Sequence, residues 1–229
     1  MLTIGMLGGM SWESSAQYYR LANELVRERL GGLHSARCVL HSVDFADVER
    51  LQVEGRWDEA GDVLAEAARG VEAAGADLLL ICTNTMHKVA DRVQAAVGIP
   101  LLHLADAMAE AVLRADVEVV GLLGTAFTME QAFYRERLAG HGVRVLVPGD
   151  ADRAFVHRVI YEELCLGVVE EASRKGYREV IARLVDKGAQ GVVLGCTEIE
   201  LLVGAEDSAV PLFPTTRLHV EAAVEWALR

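Results

Sequence analysis

The 229-residue chain has only four prolines and no proline- or serine-rich stretch, so no linker of that kind divides it. Its four cysteines, Cys38, Cys82, Cys165 and Cys196, show none of the short paired spacings of zinc sites or Cys-x-x-Cys redox motifs, and they are expected as thiols. Lysine is scarcer still. Lys88, Lys175 and Lys187 leave few candidates for a Schiff base with pyridoxal phosphate. Positive charge is in deficit, 22 Lys and Arg against 34 Asp and Glu, and the net charge of −12 disfavours phosphate backbones and anionic membranes. Neither nucleic acid nor membrane is therefore an expected partner. No apolar run approaches the ~20 residues of a membrane-spanning helix. The N-terminus lacks the basic start of a signal peptide, which makes the cytoplasm the expected location. Neither G-x-G-x-x-G nor G-x-x-x-x-G-K-[ST] occurs, so NAD and ATP are not indicated, and no convincing set of metal ligands is present.

What is present is a hydrophobic fraction of 52%, ample for a packed core, arranged as short apolar runs alternating with long amphipathic stretches. That alternation predicts an α/β fold of parallel strands covered by helices. Leu2–Leu7 reads as the first strand; Gly8 and Gly9 end it, and Ser11 caps a helix that runs to Leu30, before Gly31 and Gly32. Strands are predicted at 39–43, 78–82, from Pro100, and at 117–123, 143–147 and 192–194. Helices are predicted over 46–53, 58–74, from the turn at 83–85 to about 97, then 129–139, 152–166, 173–187 and from 217 to the end.

A faint internal repeat runs through the chain. Gly75-Ala76-Asp77-Leu78-Leu79-Leu80-Ile81-Cys82-Thr83 lies over Gly188-Ala189-Gln190-Gly191-Val192-Val193-Leu194-Gly195-Cys196, which makes Thr83 the counterpart of Cys196. Gly5-Met6-Leu7-Gly8 likewise matches Gly121-Leu122-Leu123-Gly124, and Ile99–Leu102 matches Val210–Phe213. The expectation is two pseudo-symmetric lobes, 1–103 with 213–229 and 104–212, each with a mostly parallel sheet flanked by helices. Because open α/β sheets bind ligands beyond their strand carboxyl ends, the active site is expected in the cleft between them.

Cys196 follows an apolar strand and precedes a helix-like segment, where helix amides are expected to lower the thiol pKa and favour a thiolate base or nucleophile. Burial as a structural cysteine is the other reading of that position. Thr83-Asn84-Thr85 offers three hydrogen-bonding side chains and backbone N–H groups at one turn, either a carboxylate receptor or ordinary helix capping. Gly8-Gly9-Met10-Ser11 and Gly124-Thr125 are paired turns that could bring backbone amides to a ligand. His87, one turn after Thr83, reads as a surface or capping histidine.

Gly8-Gly9-Met10-Ser11, Thr83-Asn84-Thr85-Met86-His87, Gly124-Thr125 and Gly195-Cys196-Thr197-Glu198 together resemble the cofactor-independent aspartate/glutamate racemase family over nearly the whole chain. The resemblance implies two pseudo-symmetric α/β lobes, a homodimer, a small amino-acid substrate, no cofactor, and one catalytic cysteine per lobe. Cys196 fits the second position; Thr83 stands where the family has its first cysteine, as in a subgroup carrying Thr-Asn-Thr. Cys82, one residue earlier on a strand, points to the opposite face and is expected to be buried. The family's lysine in the segment comparable to Glu163-Leu164-Cys165-Leu166-Gly167 is missing. The reaction implied is removal of the α-proton by Cys196 on one face and its return by Thr83 on the other. Met10, Ser11, Gln52, Asn84, Thr85, Thr125 and Thr197 are expected at the substrate and Glu198 behind Cys196. A decarboxylase or isomerase using Cys196 alone and a non-catalytic amino-acid-binding protein are the rival readings.

Overall fold

The computed structural model describes residues 1–229, which form two compact units: Met1–Leu104 with His219–Arg229, and Ala105–Leu218. No helix is long and apolar enough to cross a membrane.

The first unit holds a three-stranded parallel sheet in the order β2-β1-β3, made of β1 (Ile4–Gly8), β2 (Cys38–Ser42) and β3 (Leu78–Ile81). The helices between these strands are α1 (Trp12–Leu30), α2 (Phe45–Val53) and α3 (Trp57–Ala73). Strand alternation sends Ile4, Met6, Leu78, Leu80 and Cys82 to a layer with Tyr18, Leu21, Val220 and Val224. Leu7, Leu79 and Ile81 go to the opposite layer with Val48, Leu64 and Val71. A sheet buried on both faces must read as an unbroken apolar run, which is why 78–82 shows no polar alternation. Gly5 in β1 lets α3 approach closely, since a Cβ there would lie 2.5 Å from Val71 Cγ1.

After β3 the chain makes a short 3-10 helix, Thr85–Val89, then α4 (Ala90–Gln94), where one continuous helix to about 97 was expected. The strand expected from Pro100 is reduced to a single bridge between Leu79 and Leu101. A helix the sequence did not announce, α5 (Leu104–Arg114), follows. Its N-terminal amide is capped from a distance: Leu104 N–H donates to His87 Nε2 at 3.2 Å.

The second unit has a four-stranded parallel sheet in the order β5-β4-β6-β7, made of β4 (Val119–Leu123), β5 (Arg144–Leu146), β6 (Gly191–Leu194) and β7 (Leu212–Pro214). The expected helix 129–139 is two, α6 (Ala126–Glu130) and α7 (Ala132–Gly140), because Gln131 between them is extended at φ −77° and ψ 144°. Helices α8 (Asp150–Glu162) and α9 (Glu171–Asp186) bury Val156, Val159, Ile160, Tyr177, Val180, Ile181 and Leu184 with Leu123, Val192 and Leu194. Helix α10 (Thr215–Ala227) starts in this unit and ends in the first.

Candidate active site

Most of the polar candidates lie at the carboxyl ends of two adjacent strands in each unit, β1 and β3 in the first, β4 and β6 in the second. In the first unit the turn after β1 is held by serines. Ser11 caps α1 by accepting from Ser14 N–H at 3.2 Å, and Ser15 Oγ accepts from Gly9 N–H at 2.8 Å while donating to Ser11 C=O at 2.9 Å. Gly9 is required there: its φ is +95°, and a Cβ would sit 2.1 Å from Val43 O. Ser14 Oγ donates to Cys82 C=O at 3.0 Å, which ties this turn to the end of β3. Ser14 and Ser15 were not singled out in the sequence, although serines just inside a helix after a Gly-Gly turn are a recognisable signal.

Cys82 is fully buried and its thiol is pushed far up by desolvation, so it stays protonated. Thr83 is only half-buried. Its carbonyl accepts from His87 Nδ1–H at 2.8 Å, because Nε2 is already taken as acceptor by the Leu104 amide. His87 is therefore a neutral, buried residue that fixes the Thr83 carbonyl. The surface reading is incorrect and the capping reading holds, since one ring serves two backbone groups. It packs beside His103 and His219, with ring centroids 4.7 and 5.6 Å away. His219 takes O–H from Tyr18 on Nδ1 and donates from Nε2 to Leu102 C=O; desolvation lowers its pKa to about 3, so it too is neutral. Gln52 is buried and donates to Met86 Sδ at 3.0 Å, which places it under the Thr85–Val89 turn. Met10 shares that core with Met86.

In the second unit the turns after β4 and β6 are neighbours. Thr125 caps α6, with Oγ1 accepting from Thr128 N–H at 3.5 Å, and Gly195 N–H donates to Leu123 C=O at 2.7 Å. Thr197 Oγ1 lies 3.3 Å from Thr216 Oγ1. Cys196 is half-buried and its Sγ donates to Glu198 Oε2 at 2.8 Å. Burial first, then the negative charge and hydrogen bond of Glu198, raise the Cys196 pKa well above the ordinary thiol value. The expected lowering by helix amides is present, through the Glu198 backbone N–H, but is outweighed: the sulfur is buried, a carboxylate faces it, and Thr197–Leu201 is only a five-residue 3-10 turn, too short to present a substantial dipole. Glu200 on the same turn keeps Oε1 buried without a hydrogen bond; desolvation raises its pKa to about 7 against the attraction of Arg217.

Ile81 pairs with Leu7 of the neighbouring central strand and Leu194 pairs with Leu123, so Thr83 and Cys196 each stand two residues beyond the equivalent strand pair. Cys82 N–H donates to Leu7 C=O just as Gly195 N–H donates to Leu123 C=O.

The model of the Asp/Glu/Hydantoin racemases matches residues 7–223. The chain belongs to that family. It is 53% identical to a candidate Asp/Glu racemase from Yersinia pestis, with a TM-score of 0.96 and all of both chains covered. An aspartate racemase homologue from Pyrococcus horikoshii is 33% identical, with a TM-score of 0.91 and again full coverage of both. A broad-specificity amino-acid racemase of Bacillus subtilis strain 168 is 20% identical over 171 residues, 73% of this chain and 72% of the relative. Asp/Glu racemases are isomerases acting on amino acids, and the two-sheet α/β architecture described above is that of the family's solved members.

Proposed function

We propose that the protein is a cofactor-independent amino-acid racemase that acts on aspartate, glutamate or a related amino acid by two-base proton transfer at Cα. Family membership supports the reaction class, and the observation that carries the assignment of bases is the equivalence of Thr83 and Cys196 in the two sheets. Racemisation needs a proton-accepting group for one face of Cα and a proton-donating group for the other. On this reading Cys196 and Thr83 are those groups.

Cys196 rests as a thiol on a carboxylate, so it becomes a base by passing its proton to Glu198. The ammonium group of an amino acid arriving nearby favours that transfer, because a positive charge stabilises the thiolate. Thiolate then abstracts the α-proton, and the electron pair spreads into the α-carboxylate. That developing charge is met by N–H and hydroxyl donors assigned to Asn84, Thr85, Thr125 and Thr197, with Met10, Ser11 and Gln52 shaping the pocket around the substrate. Thr83 delivers a proton to the other face, directly or through water. A threonine hydroxyl is a far weaker acid than a thiol, so the two directions differ in their isotope exchange. By resemblance, the protein is proposed to be a homodimer; sedimentation at micromolar concentration tests this.

The deciding experiment follows L- and D-aspartate, L- and D-glutamate and other amino acids in D2O. Racemisation with α-deuteration is expected, and Cys196→Ser is expected to lower it by at least about a hundredfold. Full activity in that variant overturns the assignment of the base. Release of CO2 from a malonate-like acid, or binding without exchange, overturns the racemase reading itself.

A further inference from the structure

We propose that Cys165 and Cys196 form a reversible intramolecular disulfide, making Cys165 a redox modification site that masks the sulfur at 196. The proposal uses the sulfur invoked for catalysis, but it does not depend on that role. Of the four cysteines, Cys165 alone is exposed. It lies on the 3-10 turn Leu164–Leu166, which packs against the turn Thr197–Leu201 that begins beside Cys196. Leu164 and Cys196 also meet in one apolar cluster. The two sulfurs are near enough for a charge on Cys165 to raise the Cys196 thiol, and both act on the Tyr177 hydroxyl.

The segment carrying Cys165 is a short turn at the surface. It ends at Gly167 with φ +73° and continues through irregular chain in which Val168 and Val169 are exposed. A disulfide asks for Cα atoms roughly 4.4–6.8 Å apart, and a turn followed by a left-handed glycine and open chain can close onto its neighbour more readily than a helix interior can.

The chemistry balances with a peroxide as oxidant. The Cys165 sulfur, reached first from solvent, displaces one oxygen of hydrogen peroxide, becoming a sulfenic acid and releasing water. The Cys196 sulfur then attacks that sulfur; its proton passes through Glu198 Oε2 to the departing hydroxide, and a second water leaves. Two thiols and one peroxide give one disulfide and two waters.

The test treats the full-length protein with equimolar hydrogen peroxide and maps its peptides under non-reducing conditions. The expected product is a linked pair of peptides containing residues 165 and 196, two hydrogens lighter than the free peptides. Iodoacetamide labelling at 196 is expected to be lost in parallel and restored by dithiothreitol. In Cys165→Ser the thiol at 196 stays alkylatable after the same dose. Cys165 found as sulfinic acid with Cys196 still alkylatable, or linked only between chains, overturns the proposal. Peptide mapping needs no turnover, so a protein that cross-links but exchanges no deuterium refutes the catalytic reading and leaves this one standing.

Discussion

A thiol that donates to a carboxylate is stabilised as a thiol, so the Cys196–Glu198 contact makes Glu198 the immediate proton acceptor on the proposed path. Glu198→Gln keeps the size of that side chain and removes its basicity. It is expected to lower kcat by about a hundredfold with a smaller change in KM, read from initial rates of chirality change; an unchanged kcat assigns Glu198 a packing role only. Glu200 makes a separate prediction. Its folded pKa of about 7 lies above the ordinary carboxylate value, so the folded state holds a proton that the unfolded chain has already lost. Stability from this group is therefore full below about pH 4 and declines as pH rises towards 7. Glu200→Gln removes the decline: unfolding free energies from urea titration are expected to match wild type near pH 4 and to exceed it at pH 8 by roughly 2–3 kcal/mol. A gap independent of pH refutes this.

Elements place these residues through a few close approaches. The turn between β1 and α1 depends on Gly9, whose missing Cβ makes room for the Val43 backbone. Gly9→Ala combines that clash with a positive φ and is expected to cost about 2 kcal/mol or more, measured by thermal unfolding. Behind the Cys196 turn, Asp207 is a second fastening point. It accepts from Gly204 N–H at 2.9 Å and pairs with Arg174 and Arg178. Burial alone would raise its pKa, but these donors outweigh burial and bring it to about 2. A depressed carboxylate stabilises above its unfolded pKa near 4 and loses that contribution as pH falls towards 2. Asp207→Asn is accordingly expected to be destabilised at pH 7 by about 3 kcal/mol, with the difference from wild type shrinking below pH 4; a constant difference down to pH 2 contradicts this account.

For the whole molecule, the two residues proposed as bases belong to different units of one chain. Enantiomers have equal free energy, which forces kcat/KM to be equal in the two directions. The inequality of thiol and hydroxyl must therefore appear in deuterium wash-in and in kcat and KM moving together. Thr83→Cys is expected to bring the wash-in of the two directions closer and to raise kcat. Unequal wash-in that is unchanged by the substitution refutes the role of Thr83.

The sequence alone determined the α/β class, because buried parallel strands must read as continuous apolar runs such as Leu78–Ile81. Its internal repeat also predicted the equivalence of positions 83 and 196 that the two sheet registers display. Helix α1 was legible to the residue, since Ser11 and Gly31 are local signals at its ends. The start of helix α5 was not, because the group that meets its first amide is an imidazole seventeen residues earlier in the chain. Tertiary structure alone decided the protonation of Cys196. The sequence already put Glu198 two residues from Cys196 and suggested helix amides beside it; folding buried the sulfur, and that desolvation, which sequence spacing does not encode, is the largest cause of its raised pKa.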